Sequence, residues 1–272
     1  LTPAQVSMCT AAVDAGYKEL MHRVRTLDLQ EQLESAGFMQ IKMRSGGRYD
    51  LQLPELSTPP FSFLLRDAPW MPLVHAILGE DAALTHFGCM LSFPGSATQP
   101  WHTDGPHVRG SDEMGAANGN FVAPPHAVNV FVPLVDLSRS NGPTELVPGS
   151  QHDFDTKAST RTECISAGQA VIFDYRLKHR GLGNTSALER PLLYITYSHN
   201  FFLDVYNFDR KRYPNLPEVS QHLSREERRA KRMKLLHEDR SAAAANGGEV
   251  DDAAEARTAA GPGAAGQPGL PA

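Results

Sequence analysis

The sequence predicts a mainly β fold, a jelly roll of two packed sheets flanked by helices at its N-terminal side. From about residue 83 onward, short β-rich runs follow one another, separated by Gly, Pro and Asn, which is typical of antiparallel two-sheet proteins. Before that point, apolar residues recur at helical spacing. We therefore expect a helical segment at residues 1–82 that packs on a jelly-roll core at residues 83–216.

Three helices are expected in the N-terminal segment. Residues 3–24 carry apolar side chains at intervals of three and four, as one face of a helix requires. A second, short helix is expected at 28–36, with Gly37 as its stop. Residues 68–78 predict the third, because Pro69 lies near its start and Gly79 follows its end.

Five strands are expected in the core, and their ends coincide with turn-forming residues such as Asn141-Gly142 and Pro148-Gly149. They cover residues 84–93, 127–135, 144–147, 170–173 and 192–199. A barrel of this kind is open at one end, and that mouth is a natural place for a ligand pocket.

The character of the chain changes after residue 216. Residues 217–240 predict a charged helix, opened by a Ser-x-x-Glu capping box at Ser224. Its basic cluster has two readings, a solvated helix face or a localisation or nucleic-acid patch, and interspersed acidic residues favour the first. Residues 241–272 are rich in Ala, Gly and Pro and poor in large apolar residues, which predicts a disordered tail.

Composition excludes several classes of protein. Of the 272 residues, 41% are hydrophobic and 21% charged, and the formal net charge of −5 gives no reason to expect a nucleic-acid partner. No apolar run approaches the roughly 20 residues of a membrane span, and no signal-peptide pattern is present. Three scattered cysteines are expected to be buried thiols in a reducing compartment, so we expect a cytoplasmic protein. Other compartments stay open because the chain begins with Leu1, and the oligomeric state is not indicated.

The segment at residues 99–105 (QPWHTDG) carries the first chemical signal. In an extended backbone, residues two apart point to the same side, so His102 and Asp104 can converge on one point. Two histidines and one carboxylate on one face of a metal leave three positions open, as non-haem Fe(II) oxygenases require. With 11 histidines and 31 acidic residues, an H-x-D match alone is weak. A second histidine is needed.

His179 is the best candidate, because it follows a predicted core strand directly. Further along the chain, Arg190 leads into the last predicted strand. Its planar guanidinium is suited to bind the distal carboxylate of a dicarboxylate co-substrate through two hydrogen bonds.

Four motifs occur in one order: WHTD at 101–104, NGPTELVPGSQH at 141–152, FDYRLKHRGLGNTS at 173–186 and RPLLYITY at 190–197. Together they resemble the phytanoyl-CoA dioxygenase family, over roughly residues 68–200. The resemblance implies a cupin-like double-stranded β-helix, a catalytic Fe(II) site at His102, Asp104 and His179, and a 2-oxoglutarate site at Arg190. It disfavours halogenation, because the halogenases of this superfamily lack the carboxylate that Asp104 provides.

The resemblance also implies that Met90, Asn129 and Phe131 line the 2-oxoglutarate pocket. Core packing is an equal alternative for Met90 and Phe131. Relatives often have Trp where Phe131 lies, so we expect a hydrogen-bond donor to be missing at this position. Asn129 interrupts an apolar run, and a buried amide needs hydrogen-bond partners, for which a bound carboxylate qualifies.

The implied activity is hydroxylation of a small organic molecule, with Fe(II), 2-oxoglutarate and O₂. Residues 105–125 are either a lid over the substrate or an uninvolved surface loop, and His107 and His152 are expected near the mouth rather than as ligands. Two alternatives remain: a non-oxidative isomerase or lyase on the same triad, and a catalytically idle binding protein. Arg190 argues against the isomerase or lyase, because such an enzyme does not need a dicarboxylate site. The intact triad argues against the idle binding protein. The substrate is not indicated.

Overall fold

The fold is described from a computed structural model, which covers residues 1–53, 60–64, 67–105, 124–153, 155–204, 212–213, 216–219, 229–230 and 233–234. Its helices are α1 (Pro3–Thr26), α2 (Gln30–Ser35) and α3 (Met71–Leu78), with one 3-10 turn at Ser62–Leu64. Its strands are β1 (Ile41–Ser45), β2 (Arg48–Gln52), β3 (Ala83–Ser92), β4 (Ala127–Pro133), β5 (Thr144–Leu146), β6 (Arg161–Thr162), β7 (Val171–Asp174), β8 (His179–Gly181) and β9 (Arg190–Ser198).

The strands form the two sheets of a jelly roll. The larger sheet has the order β1-β2-β3-β9-β4-β7 and the smaller one the order β6-β5-β8, and every strand pair in both is antiparallel. Chain neighbours such as β3 and β4 are separated by β9, so the strands cross over as in a jelly roll. The predicted fold class is confirmed.

The two faces of the large sheet differ in chemistry because side chains alternate along each strand. The face away from the cavity packs against α1 and α3 and forms the main hydrophobic core with them. Its strand residues include Leu51, Cys89, Val130 and Leu193, and its helix residues include Cys9, Val13, Val74 and Leu78. The opposite face carries Asp50, Met90, Asn129 and Arg190, all of which line one cavity. The helices therefore cover one face, and the other is left for chemistry.

The termini of α1 show why this segment folds as a helix. Thr2 accepts a hydrogen bond from the Gln5 backbone N–H while the Gln5 side chain accepts one from the Thr2 N–H, a complete capping box with Pro3 at the first helical position. The buried residues Cys9, Val13 and Val24 fix α1 on the core.

The three helices and five strands predicted before residue 200 are all present, with ends that differ by at most three residues from the expected ones. The prediction of a wholly helical segment before residue 83 is wrong in one part, because β1 and β2 lie there and extend the large sheet. Arg48 and Asp50 on the inner face of β2 hide its strand pattern, since that face borders a polar cavity rather than a core. The two short strands β6 and β8 were also not expected.

Several expectations lie outside the described residues. They are the lid and His107 within 106–123, most of the charged helix at 217–240, and the whole tail at 241–272. The division at residues 82 and 216 stays a prediction. None of the helices in the described ranges has the length and apolar character needed to cross a bilayer.

Two of the three cysteines are buried, as expected, and burial raises the pKa of Cys9 to about 11 and that of Cys89 to about 12. Cys164 is exposed, contrary to expectation, because it lies in the polar loop between β6 and β7.

Candidate active site

His102, Asp104 and His179 meet at one end of the cavity. One potential ligand atom from each lies within 4.8 Å of the others. Asp104 Oδ1 is 3.9 Å from His102 Nε2, and Asp104 Oδ2 is 3.6 Å from His179 Nε2. No other group of three such side chains gathers in this way within the ranges that the structure describes. The two imidazoles and the carboxylate form the facial arrangement that suits a first-row divalent metal.

The backbone fixes the distance between the two histidines. His102 and His179 form an antiparallel bridge in which the N–H of each donates to the carbonyl of the other, at 3.0 and 2.8 Å. Their rings therefore lie side by side, with centroids 4.4 Å apart. This bridge joins the loop after β3 to β8 of the small sheet, and so brings together residues that are distant in sequence.

Each imidazole has a second contact that orients it. Nδ1 of His102 lies 2.9 Å from the Pro100 carbonyl, and Nδ1 of His179 lies 2.9 Å from the Leu177 carbonyl. A carbonyl only accepts, so both rings carry their proton on Nδ1 and direct the Nε2 lone pair toward Asp104. Burial, with the neighbouring His179, lowers the pKa of His102 and favours the neutral form that binds metal.

Asn129 positions the carboxylate of the triad. Its side-chain N–H donates to Asp104 Oδ2 at 2.7 Å, and its carbonyl accepts from Thr196 Oγ1 at 2.7 Å. The buried amide that interrupts an apolar strand thus does contact a carboxylate, that of Asp104. A contact with 2-oxoglutarate stays a prediction.

Phe131 and Met90 both line the cavity, as their alternation along the strands requires. Phe131 packs edge-on against Phe173, with centroids 4.8 Å apart, and lies 5.9 Å from the ring of His179. Phe131 therefore supports the His179 imidazole through apolar contact and offers no hydrogen-bond donor. His152, in contrast, is exposed on the surface and does not line the cavity.

Arg190 lies at the other end of the cavity and is only 1% exposed. Its Nε has no hydrogen-bond partner among the described residues. Burial, with the nearby Arg48 guanidinium, lowers the pKa of Arg190 to about 9, which leaves it charged at neutral pH. A buried cation without a counter-ion is costly, so this end of the cavity favours an anion.

Arg48 is a cavity residue that the sequence did not single out. It faces Ser92 on one side of β3, and Arg190 faces the same Ser92 on the other. Its Nη2 donates to the carbonyls of Ala97 and Leu182, whereas Nε and Nη1 have no partner among the described residues. Two guanidinium groups therefore border the same end of the cavity.

A second charged group lines the cavity at the β1–β2 side of the large sheet, where Asp50 is enclosed by Arg44, Arg212 and Tyr194. A third joins Asp204 to His86 Nε2, at 2.9 Å, and to the hydroxyl of Tyr175. These contacts join residues that are far apart in sequence, so no local sequence motif predicts them.

The donors present fit both groups that the sequence pattern implies. The triad supplies two imidazole nitrogens and one carboxylate. The arginine pair supplies cationic donors that have no acidic partner in the described part of the chain, as binding of a dicarboxylate requires. The family model for phytanoyl-CoA dioxygenase (PhyH) matches residues 17–192, more than half of the chain and inclusive of the triad and Arg190. The chain belongs to this family. Fe(II), 2-oxoglutarate and O₂ are the cofactor and co-substrates of the family, and the described site is suited to bind the first two.

A curated relative and a solved structure are similar to this family member over different lengths. L-proline trans-4-hydroxylase from Streptomyces griseoviridis is 30% identical over 138 residues, covering 38% of this chain and 48% of the relative. The chain thus spans about half the length of the relative that it matches. The crystal structure of AviO1 from Streptomyces viridochromogenes Tue57 superposes with a TM-score of 0.51 at 22% identity, covering 74% of this chain and 86% of that one, which shows a shared fold.

Proposed function

We propose that this protein is an Fe(II)- and 2-oxoglutarate-dependent dioxygenase that hydroxylates a small organic molecule. One observation carries the proposal: a His-Asp-His triad and a buried arginine line the same cavity, and this arginine has no acidic partner within the described ranges. The hydroxylase among its relatives, which acts on L-proline, supports the reaction type.

The residues of the chain have distinct tasks in this proposal. His102, Asp104 and His179 would hold the metal on one face, and the Pro100 and Leu177 carbonyls keep the two imidazoles in the ligating tautomer. Arg190, supported by Arg48, would hold the distal carboxylate of 2-oxoglutarate. The bound metal with 2-oxoglutarate and O₂ supplies the oxidising power to insert one oxygen atom into a C–H bond, with succinate and CO₂ as co-products. The apolar face around Phe131 and Leu192 limits water near the reacting atoms.

The alternative, a non-oxidative isomerase or lyase on the same triad, has no use for a dicarboxylate site. Two buried guanidinium groups at one end of the cavity therefore favour the oxygenase.

Succinate formation tests the proposal directly. We expect the purified protein to convert 2-oxoglutarate to succinate only with Fe(II), and to add one oxygen atom from ¹⁸O₂ to a molecule of a metabolite extract, detected by mass spectrometry. His102→Ala should abolish succinate formation. His152→Ala, which changes an exposed histidine outside the cavity, should not. If the wild-type protein leaves 2-oxoglutarate unchanged under all these conditions, the oxygenase proposal is wrong.

The co-substrate site has its own test in Arg190. Loss of one partner of a desolvated charge pair costs about 2–5 kcal/mol, or roughly 30-fold to several-thousand-fold in dissociation constant. We expect Arg190→Ala to weaken 2-oxoglutarate binding within this range. The 2-oxoglutarate affinity of Arg190→Lys should lie between those of the wild type and Arg190→Ala, because lysine keeps the charge but lacks the planar guanidinium. Anaerobic titration of the Fe(II) protein measures this, and Fe(II) affinity without 2-oxoglutarate should stay unchanged. Wild-type affinity in Arg190→Ala would place the carboxylate site elsewhere.

A further inference from the structure

The charged group at the β1–β2 edge of the large sheet has more donors than its one acidic residue can use. Asp50 is 1% exposed and faces the cavity. Its Oδ2 accepts from Arg44 Nε at 3.0 Å, from Arg44 Nη2 at 2.5 Å and from Arg212 Nη2 at 3.2 Å, while Oδ1 accepts from the Tyr194 hydroxyl at 2.6 Å. Two guanidinium groups thus share one carboxylate, and among the residues that the structure describes one positive charge is left over.

The excess donors belong to Arg212. Its side chain is 1% exposed and lines the cavity, yet its Nε and Nη1 have no hydrogen-bond partner among the described residues. A buried guanidinium with two nitrogen atoms that lack an acceptor is energetically costly, and an acceptor in the cavity would remove this cost. An oxyanion in the cavity would supply such an acceptor.

Arg212 is held in this place by its neighbour Tyr213. The Tyr213 N–H donates to the Gly37 carbonyl at 2.8 Å, and its carbonyl accepts from the Met39 N–H at 3.0 Å. The Tyr213 ring also packs on Phe38, with centroids 5.6 Å apart. The donors of Arg212 are therefore presented by an anchored backbone, and binding an anion requires little ordering.

This group is separate from the pair that faces 2-oxoglutarate in the proposed function. Arg48 and Arg190 lie level with Ser92, whereas Asp50 lies level with Met90, two residues further along the same face and about 7 Å away by strand geometry. Burial and the Arg48 guanidinium lower the pKa of Arg190, whereas Arg44 and Arg212 partly offset the rise in the pKa of Tyr194 that burial causes. The cavity therefore has two cationic groups, and a 2-oxoglutarate held by Arg48 and Arg190 leaves the second group for another anion.

We propose that Arg212, together with Arg44, binds the carboxylate of the substrate, so that the protein acts on small carboxylic acids, amino acids included. The inference rests on the proposed function, because that function assigns Arg48 and Arg190 to 2-oxoglutarate. The excess of a single positive charge matches a singly charged carboxylate better than a neutral molecule or a phosphate dianion. The Asp50 carboxylate has a positioning role, since it fixes both guanidinium groups.

A matched pair of probes tests the proposal without knowledge of the substrate. Propanoate and its neutral isostere propanamide are titrated into the protein loaded with diamagnetic Zn(II) and saturated with 2-oxoglutarate, and binding is followed by protein-observed NMR. We expect propanoate to bind and propanamide not to bind. Arg212→Met removes charge-assisted hydrogen bonds of about 1.5–3 kcal/mol and should weaken propanoate by about 10- to 150-fold. Arg212→Lys keeps the charge and the ion pair with Asp50. Its propanoate affinity should lie between those of the wild type and Arg212→Met.

Controls separate this inference from the proposed function. Arg161→Met, an exposed arginine of β6 outside the cavity, should bind propanoate like the wild type, and all three variants should keep wild-type 2-oxoglutarate affinity. Equal binding of propanoate and propanamide, or propanoate binding unaffected in Arg212→Met, overturns the inference. A loss of 2-oxoglutarate affinity in Arg212→Met as large as in Arg190→Ala also overturns it. If 2-oxoglutarate does not bind the wild type at all, the proposed function fails, while the Arg212-dependence of propanoate binding still decides the carboxylate site.

Discussion

Asn129 shows how one side chain connects the metal-ligand set to the sheet. Its amide joins Asp104 of the loop after β3 to Thr196 of β9, so that the carboxylate orientation depends on the register between β4 and β9. A carboxylate that is held by such a contact binds metal with less reorganisation than a free one, and partners of this kind typically contribute 10- to 100-fold in metal affinity.

We therefore predict that Asn129→Leu weakens Mn(II) binding by about 10- to 100-fold, because Asp104 loses its donor. Thr196→Val removes only the support of Asn129 and should produce a smaller loss. Anaerobic Mn(II) titration by electron paramagnetic resonance measures both variants, and circular dichroism checks that they are folded. Unchanged Mn(II) affinity with weakened 2-oxoglutarate binding in Asn129→Leu would instead assign the amide to the co-substrate.

At this scale, local sequence predicted the residues that lie two apart or at strand ends. His102 and Asp104 follow from extended backbone, and Asn129 from its apolar surroundings. Arg48, Asp50 and Arg212 could not be found in the same way, because they come together only through strand pairing and the contact of Tyr213 with residues 37–39. A charged residue in a short polar stretch has the same pattern whether it faces solvent or a cavity.

Among the secondary-structure elements, β3 is central to the site because it lies between β2 and β9 in the large sheet. At Gly88 the neighbouring strands leave no room for a side chain. A Cβ at that position would lie 2.3 Å from the Tyr194 hydroxyl oxygen and 2.5 Å from the Leu51 carbonyl oxygen. Tyr194 in turn donates to Asp50, so the fit at Gly88 affects the position of the charged group.

Gly88→Ala should therefore lower the free energy of unfolding by about 1–3 kcal/mol, since backbone as well as side chain must move. Urea denaturation measures the change. Gly16→Ala in α1 is the matched control: a Cβ there meets nothing within 4 Å, and alanine should stabilise the helix by about 0.5–1 kcal/mol. A Gly88→Ala variant as stable as the wild type would mean that the sheet adapts freely at this point.

The elements themselves were predictable where one face is apolar. The strands β3, β4 and β9 bury hydrophobic residues against α1 and α3, and their pattern is evident in the sequence. The strands β1 and β2 were missed because their inner face is occupied by charged cavity residues, which remove the apolar side of the alternation. The same cause thus accounts for the missed strands and for the missed site residues.

Over the whole molecule, charge is distributed unevenly between surface and interior. The chain has a formal net charge of −5, yet four arginines and two aspartates line the cavity in the part that the structure describes. Composition therefore predicts the absence of a basic surface but says nothing of the cavity. Buried guanidinium groups repel one another and lack water, so the folded state gains from any ligand that neutralises them.

We predict on this ground that ligands stabilise the fold in a defined order. A ligand at 100 times its dissociation constant contributes about 2.7 kcal/mol, or roughly 5–10 °C in melting temperature for a domain of this size. Mn(II) alone should raise the melting temperature of the wild-type protein, and 2-oxoglutarate should add a second increment. His179→Ala should show neither increase in melting temperature, because 2-oxoglutarate would bind in part through the metal. Arg190→Ala should keep the increase in melting temperature from Mn(II) and lose most of the increase from 2-oxoglutarate. His152→Ala should behave as the wild type. Differential scanning fluorimetry under argon measures all of them, and a second increment that persists in full in Arg190→Ala would show that the arginine does not hold the co-substrate.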